Sequence, residues 1–363
     1  MAEWRDCKLG EVINLKRGYD LPHDDRIPGP FPIVSSSGIT DHHAVAKVKG
    51  PGVITGRYGT LGEVFFVEED FWPLNTSLYV QDFKGNEPRF ISYFLRQLNF
   101  GTRNAAGAVP GVNRNHLHAI DVRVPPLPVQ RRIADILSAY DELIENSQKR
   151  IRILETMARA LYREWFVQFR FPGHEKVPRV DSPLCEIPKG WELKLVKDVL
   201  SRFAAGTVYR EADVKLDGTT PVVDQSTNEL LGFHDNEPDH FASPATPIAI
   251  FGDHTCKMQL LIEPFSVGPN VVPFTAAGGL PTAYVFYAVN SLVQTQEYKR
   301  HWIPLNAKEI VVANAAMAQR FASLIQPMLV GQETLRKTIR NLRRTRDLLL
   351  PRLLSGQVSL VGT

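Results

Sequence analysis

No stretch of the 363 residues approaches the roughly 18 consecutive apolar residues that a membrane-spanning helix needs. The opening MAEWRDCK has no charged-then-apolar leader pattern, so the expected location is the cytoplasm. Cysteine is scarce. Cys7, Cys185 and Cys256 are odd in number, far apart and without a Cys-x-x-Cys pair, which argues against a disulfide framework or a zinc site; they read as reduced structural thiols. Motifs of common enzymes are missing too. The chain has no Gly-x-x-x-x-Gly-Lys-Ser/Thr phosphate loop, no Gly-x-Gly-x-x-Gly between a strand and a helix, no His-Glu-x-x-His and no Gly-x-Ser-x-Gly elbow. Nor is there an Asn/Asp-Pro-Pro-Tyr/Phe segment of the amino-methyltransferase type, because Val124-Pro125-Pro126-Leu127 lacks the polar first residue. His42-His43 and His116-x-His118 come without a Cys or carboxylate cluster and are read as surface or hydrogen-bonding residues, not metal ligands. The chain is therefore expected to be non-catalytic and to hold no metal or cofactor directly.

Composition sets only a broad class: 44% hydrophobic and 22% charged residues are ordinary for a globular protein of two or three domains. The net charge of +3 hides an uneven distribution. Residues 1–125 balance 14 basic against 14 acidic side chains, residues 191–313 carry 9 against 14, and residues 314–363 carry 8 against 2. The surplus lies at Arg336, Lys337, Arg340, Arg343, Arg344 and Arg352. Such a run on a helix is commonly a solvated face, so electrostatics alone does not define a nucleic-acid binder.

What the sequence does contain is itself, twice. Ile133, Leu137, Tyr140, Ile144, Ser147, Ile151, Leu154, Ala158, Leu161 and Trp165 step alternately by 4 and 3, which is a heptad seam. The same phase returns 188 residues on, in Phe321, Ile325, Met328, Gln332, Leu335, Ile339, Leu342, Arg346, Leu349 and Leu353. Matching seams predict two helices packed on each other with a left-handed supercoil, and their expected core includes Leu137, Ile144, Ile151, Leu154, Leu161, Leu335, Ile339, Leu342 and Leu349. Fainter repeats precede each helix: Lys8-Leu9 leading to Arg17-Gly18 and Lys194-Leu195 leading to Ala205-Gly206, Phe31-Pro32-Ile33-Val34-Ser35 and Thr220-Pro221-Val222-Val223-Asp224, Gly52-Val53-Ile54-Thr55-Gly56 and Pro247-Ile248-Ala249-Ile250-Phe251-Gly252. The region around Phe71-Trp72-Pro73 has only a poor match near Ala277-Gly278-Gly279. A domain followed by a long helix is thus used twice, which predicts a pseudo-twofold and antiparallel pairing.

The boundaries follow from composition. Residues 1–125 read as short β runs with one helix near Arg89 to Gln97, closed by Val124-Pro125-Pro126-Leu127-Pro128. A helix occupies 126–170, a Pro-rich and charged linker 171–190, a second domain 191–313, the second helix 314–356 and a tail 357–363. Antiparallel pairing about the seam centres makes facing residue numbers sum to 486, as in Ile133 with Leu353 or Ile144 with Leu342, with misfits at Tyr140–Arg346 and Leu154–Gln332. Pro327 is expected to kink or break the second helix. A seam from Ile133 to Trp165 spans about 50 Å as a helix, enough to hold two heads apart.

The heads offer polar loops between strands. In the first these are Lys16, Arg17 and Tyr19, then Ser36, Ser37 and His42, then Arg57, Tyr58 and Thr60 with Gly59 between them, and finally Asn113, Arg114 and Asn115. In the second they are Gln225, Ser226, His254, Lys257, Lys299 and Arg300. Such sets mix phosphate-binding cations with groups able to read base edges. Polar loops are also simply loops; their parallel occurrence in two repeated domains is what favours recognition of DNA.

The Val124-Pro125-Pro126-Leu127-Pro128-Val129-Gln130-Arg131-Arg132-Ile133 entry to the first helix, Ala318-Gln319-Arg320-Phe321 in the second, Ile187-Pro188-Lys189-Gly190-Trp191 and the closing Leu350-Pro351-Arg352-Leu353-Leu354-Ser355-Gly356 resemble the specificity subunit of a type I restriction-modification system. The resemblance covers essentially the whole chain. It implies an α+β fold with two target-recognition domains separated by a long antiparallel two-helix coiled coil, each domain reading half of an interrupted site in double-stranded DNA. It also implies two methyltransferase subunits that bring S-adenosylmethionine, and restriction subunits with translocase and nuclease activity that bring ATP and Mg. The alternatives are an enzyme fused to such domains, for which no catalytic segment is present, and a coiled-coil scaffold whose heads bind protein without DNA specificity.

Overall fold

The computed structural model of the chain describes residues 4–58, 60, 62–98, 111–295, 299–358 and 360. They divide into two compact units, one of residues 1–146 with 339–363, the other of residues 147–338. Gly59, three of the tail residues (359, 361 and 362) and Thr363 lie outside the described residues.

The first unit opens with β1 (Arg5–Lys8), the single turn α1 (Leu9–Val12), β2 (Asn14–Arg17), the hairpin β3 (Phe31–Ser35) and β4 (Gly38–His43), β5 (Gly52–Gly56), β6 (Val64–Val67), β7 (Trp72–Pro73) and β8 (Ser77–Asp82). It continues through α2 (Pro88–Gln97), α3 (Arg114–His118) and β9 (Asp121–Val124) into the long helix α4 (Leu127–Tyr162). Strands β2-β8-β5-β6 form a four-stranded antiparallel sheet, β4-β3-β7 a three-stranded one with β7 parallel to β3, and β1 pairs with β9. Every residue of β5 is buried, as expected of an apolar run in the middle of a sheet covered on both faces. Pro88 occupies the first turn of α2, where its missing N–H is no loss, and Phe90, Ile91, Phe94 and Leu95 turn that helix onto the sheet.

The second unit repeats this plan. After the small ladder β10 (Arg179–Val180) with β11 (Ile187–Pro188), it runs through β12 (Glu192–Leu195), α5 (Val196–Val199), β13 (Leu200–Arg202), β14 (Thr220–Val223), β15 (Gly232–His234), β16 (Ile248–Gly252) and β17 (Met258–Leu261). Then come β18 (Ser266–Val267), β19 (Val271–Ala276), α6 (Thr282–Val289), α7 (Trp302–Asn306), β20 (Glu309–Val312) and the long helix α8 (Ala315–Leu354). Its sheets are β13-β19-β16-β17, β15-β14-β18 and β12-β20, strand for strand the order of the first unit. The ladders also refine the alignment of the repeat. Lys8 corresponds to Leu195, because α1 and α5 begin at the next residue. Trp72-Pro73 corresponds to Ser266-Val267, the strand parallel to β14, and not to the glycines near Ala277.

Both long helices belong to both cores. In the first unit Ile133, Ala134 and Leu137 of α4, with Leu353 and Leu354 of α8, join Leu9, Ile13, Val53 and Phe90 in one cluster. In the second, Ala158 of α4 and Phe321, Ile325 and Leu329 of α8 join Phe251, Phe274 and Tyr284. Within the second unit Glu155 meets Arg336 at 3.3 Å and Trp165 meets Phe321 at 6.4 Å between ring centroids, so the helices run antiparallel there. The Trp165–Phe321 pair is one whose numbers sum to 486. All nine expected seam residues are buried or partly buried. Helix α8 runs without a break through Pro327; Phe321, Ile325 and Leu329, buried on either side of it, hold the helix on the core despite the lost backbone donor.

Charged residues at the seam are used inside each unit. Arg346 donates to Asp141 at 2.5 Å, and the other carboxylate oxygen of Asp141 accepts from the Tyr93 hydroxyl of α2 at 2.6 Å. Arg336 reaches Glu229 at 2.7 Å as well as Glu155, and Lys337 pairs with Glu263. The basic run of α8 is thus partly consumed by acidic partners. The segment 171–190, read as a linker, is mostly exposed but anchored at its ends: Phe171 stacks on Trp191 at 5.2 Å, beside Phe166 and Phe169, and Ile187 is 4% exposed.

Two substitutions test the polar node on α4. Tyr93→Phe removes one hydrogen bond to a carboxylate and should lower the stability of the first unit by about 1–2 kcal/mol. Arg346→Met leaves Asp141 without its cation and should cost about 2–3 kcal/mol. Urea unfolding of the full chain, followed by hydrogen exchange in α2, measures both.

Candidate nucleic-acid interface

In the first unit, five of the residues chosen from sequence line one cleft of about 440 Å³: Arg17, Arg57, Tyr58, Asn113 and Arg114, with Leu78, Gly111 and Val112 as its floor. The fold brings them together because three strand or helix ends converge. Arg17 ends β2, Arg57 follows β5, and Arg114 begins α3. The loops are tied by backbone hydrogen bonds: the Val112 N–H donates to the Arg57 carbonyl at 2.9 Å, and the Arg57 and Tyr58 N–H groups donate to Thr76 at 2.9 and 3.2 Å. The turn after β5 is too tight for a side chain at Gly56, where a Cβ would lie 1.9 Å from the Thr60 carbonyl oxygen. The Arg57 guanidinium lies over the Tyr58 ring at 4.5 Å, which orients both.

The remaining positions are scattered around this cleft. Asn113 caps α3 by accepting from the Asn115 N–H at 2.9 Å, so its side-chain oxygen has a structural task. Asn115 and Thr60 are exposed. Ser36 lies against Gly56, and Ser37 is held by Ser35 through its N–H at 3.1 Å and its hydroxyl at 2.9 Å. His42 is exposed on β4, whereas its neighbour His43 is buried and bonded to Ile27. Lys16 and Tyr19 belong to an aromatic and cationic group that the sequence did not reveal. Lys47 sits 5.3 Å from the Tyr19 ring and 5.5 Å from Trp72, and Lys16 lies 5.6 Å from Tyr19. The Tyr19 phenol meets that of Tyr79 at 3.1 Å. This bond, with Lys16 and Lys47 nearby, pulls the Tyr19 pKa below its ordinary value.

The second unit treats its equivalents differently. The Gln225 side-chain oxygen accepts from the His254 N–H at 3.0 Å, and the Ser226 hydroxyl donates to Asp224 at 2.8 Å. Lys257 donates to the carbonyls of Asp224, at 3.0 Å, and Asn228; burial pushes its pKa down. These residues knit loops together. Lys299 and Arg300 are exposed ahead of α7, with Arg300 3.8 Å from Asp253. Among the described residues no group of three or more His, Cys, Asp and Glu side chains is placed to hold a metal ion, and no helix is long and apolar enough to cross a membrane.

Taken together, these features define a duplicated α+β protein whose repeated units each present loops at the same strand ends. Residues 1–156 match the family described as the type I restriction modification DNA specificity domain. The chain is 25% identical over 74% of its length to the type I restriction enzyme MjaIX specificity subunit of Methanocaldococcus jannaschii, and 23% identical over 54% to the MjaVIII specificity subunit of the same organism. Those alignments span 66% and 49% of the two relatives. The fold matches the crystal structure of a type I restriction-modification S subunit from M. genitalium, with a TM-score of 0.64, 16% identity, and coverage of 97% of this chain and 96% of that one. Residues 1–156 thus match the DNA specificity domain family, and the chain as a whole is similar to specificity subunits of type I restriction-modification systems.

The histidine that ends α3 makes a pH test. His118 Nε2 accepts the Leu15 N–H at 2.9 Å, which requires an unprotonated nitrogen. Burial first, then the Arg114 and Lys84 cations, lower its pKa. The unfolded chain therefore binds the proton more readily, so stability falls as pH drops through the unfolded value of about 6.5 and levels off below the folded one. Thermal melts of the full chain at pH 7.5 and 5.0 should show a larger drop for the wild type than for His118→Gln. Equal drops would remove this histidine from the account.

Proposed function

We propose that this chain is the non-catalytic DNA-reading subunit of a type I complex, in which each unit's head reads one half of an interrupted double-stranded site. The antiparallel α4–α8 pair sets the spacing between half-sites and docks two methyltransferase subunits. Those subunits carry S-adenosylmethionine, and restriction subunits carry ATP and Mg. The observation that carries this reading is the cleft of Arg17, Arg57, Tyr58, Asn113 and Arg114, in a unit whose topology is then repeated. Arginine and asparagine suit phosphate contact and the bidentate reading of base edges.

The division of labour is tested by exchange. Replacing residues 1–125 with the corresponding domain of another specificity subunit should change one half of the methylated sequence and leave the other intact, as read by sequencing of methylated sites. Changes in both halves would mean that the domains read jointly.

The spacing is tested by length. One heptad added to each helix, after Asn146 and after Thr338, keeps the seam in phase and adds about 10 Å of helix. The gap in the recognised site should widen by about 3 base pairs, at 3.4 Å each. An unchanged gap with full methylation would contradict a spacer role.

A further inference from the structure

The two repeats differ in charge at equivalent positions. Arg57 and Asp253 each follow the last residue of the central strand, Gly56 in β5 and Gly252 in β16. Each also uses its carbonyl in the same way, accepting from Val112 N–H at 2.9 Å in the first unit and from His301 N–H at 2.8 Å in the second. Tyr19 and Tyr209 are equivalent by the same logic, because their N–H groups donate to Pro73 and Val267, the last residues of β7 and β18. Arg17 lies two residues beyond Leu15, which faces Val80, and corresponds to Ala204, two residues beyond Arg202, which faces the equivalent Phe274; Arg114, which opens α3, corresponds to Trp302, which opens α7.

Three guanidinium groups are thus replaced by a methyl group, a carboxylate and an indole. The carboxylate and the indole are turned inward. Asp253 caps α7, accepting from the N–H groups of His301 at 3.0 Å and Trp302 at 2.9 Å, with its side chain 14% exposed. Its second oxygen sits 3.8 Å from Arg300, an exposed cation of that region. Trp302 packs over Phe251 and Phe274 at 5.7 and 5.8 Å. In the first unit α3 is capped by its own Asn113, so Arg57 is not needed there; neither Arg57 nor Arg114 makes an ion pair among the described residues, while Arg17 lies 3.8 Å from Asp20. Lys257, the cation nearest the β14–β15 loop, is committed to backbone carbonyls.

We infer that the two half-sites are held unequally: the first unit supplies most of the phosphate-directed, salt-dependent affinity, and the second discriminates sequence with little electrostatic hold. This rests on the DNA-reading function proposed above. Cations that neutralise phosphates release counterions, so the loss of each contact lowers the slope of log affinity against log salt by about 0.9. An arginine-poor face contributes little to that slope, and its reading must come from uncharged hydrogen bonds and shape.

The test uses the full chain assembled with its co-expressed methyltransferase subunits, and a fluorescent duplex carrying the mapped site, titrated across 50–300 mM KCl. The triple variant Arg17→Gln, Arg57→Gln, Arg114→Gln should lower the slope by about 3 and weaken binding at least tenfold at 100 mM. The matching triple lysine variant should keep most of the slope, which separates charge from folding. Lys299→Gln with Arg300→Gln should lower the slope by about 1 or less. The inference is overturned if the second-unit pair costs as much slope as the first-unit triple, or if the triple leaves the slope unchanged. If the wild-type assembly shows no preference for the site over competitor DNA, the DNA-reading function itself fails and takes this inference with it.

Discussion

The structure depends on one constraint: neither β-sheet unit closes its core without a piece of both long helices. Ile133 and Leu137 from α4, and Leu353 from α8, are at most 2% exposed within the first core. Phe321 and Ile325 from α8, with Ala158 from α4, are fully buried within the second. Each buried side chain of this size is worth roughly 1.5–3 kcal/mol of hydrophobic stabilisation. Seam and head are therefore one packing problem. A change in the helices is felt by the loops that the heads carry.

That coupling explains where charge appears. Charged residues at or beside the seam are used to tie helix to head: Arg346, a seam position, through Asp141 to Tyr93 in the first unit, and Arg336, beside the seam, to both Glu155 and Glu229 in the second. The equivalent of Tyr93, by the register of the preceding strands and helices, is Tyr287, which stacks on Tyr162 and meets Phe321 edge to face. One repeat uses a polar node and the other an aromatic cluster at the same place. The backbone plan is preserved while side chains diverge, and the loops at the strand ends show the same freedom.

Much of this was legible in the sequence, for physical reasons. The 4,3 spacing of apolar residues records helix geometry directly, so both long helices and their antiparallel register could be read from Ile133 to Trp165 and Phe321 to Leu353. Local strand signals located β5 and β16 because an all-buried strand is an apolar run. The rest depends on contacts far apart in the chain. Nothing local marks Asp253 as the cap of a helix beginning 49 residues later, or Lys47 as the partner of Tyr19 and Trp72. Polar loop residues look alike whether they face solvent or knit the fold, which is why Gln225, Ser226 and Lys257 read as candidates although each is engaged within its own unit. The stretch 171–190 read as a linker because proline and charge are plentiful; what the sequence did not mark is the anchoring of its start by Phe171 stacked on Trp191.

The central claim is that equivalent loops of two repeated heads face the same ligand, a duplex. Hydrogen–deuterium exchange of the full chain with its methyltransferase subunits, compared with and without duplex carrying the recognised site, addresses it most directly. The account predicts slowed exchange in the first unit around Arg57 and Asn113, and in the second around Gln225 and Arg300, with α4 and α8 unchanged by the duplex. Protection confined to the two helices, or to one head alone, would contradict it.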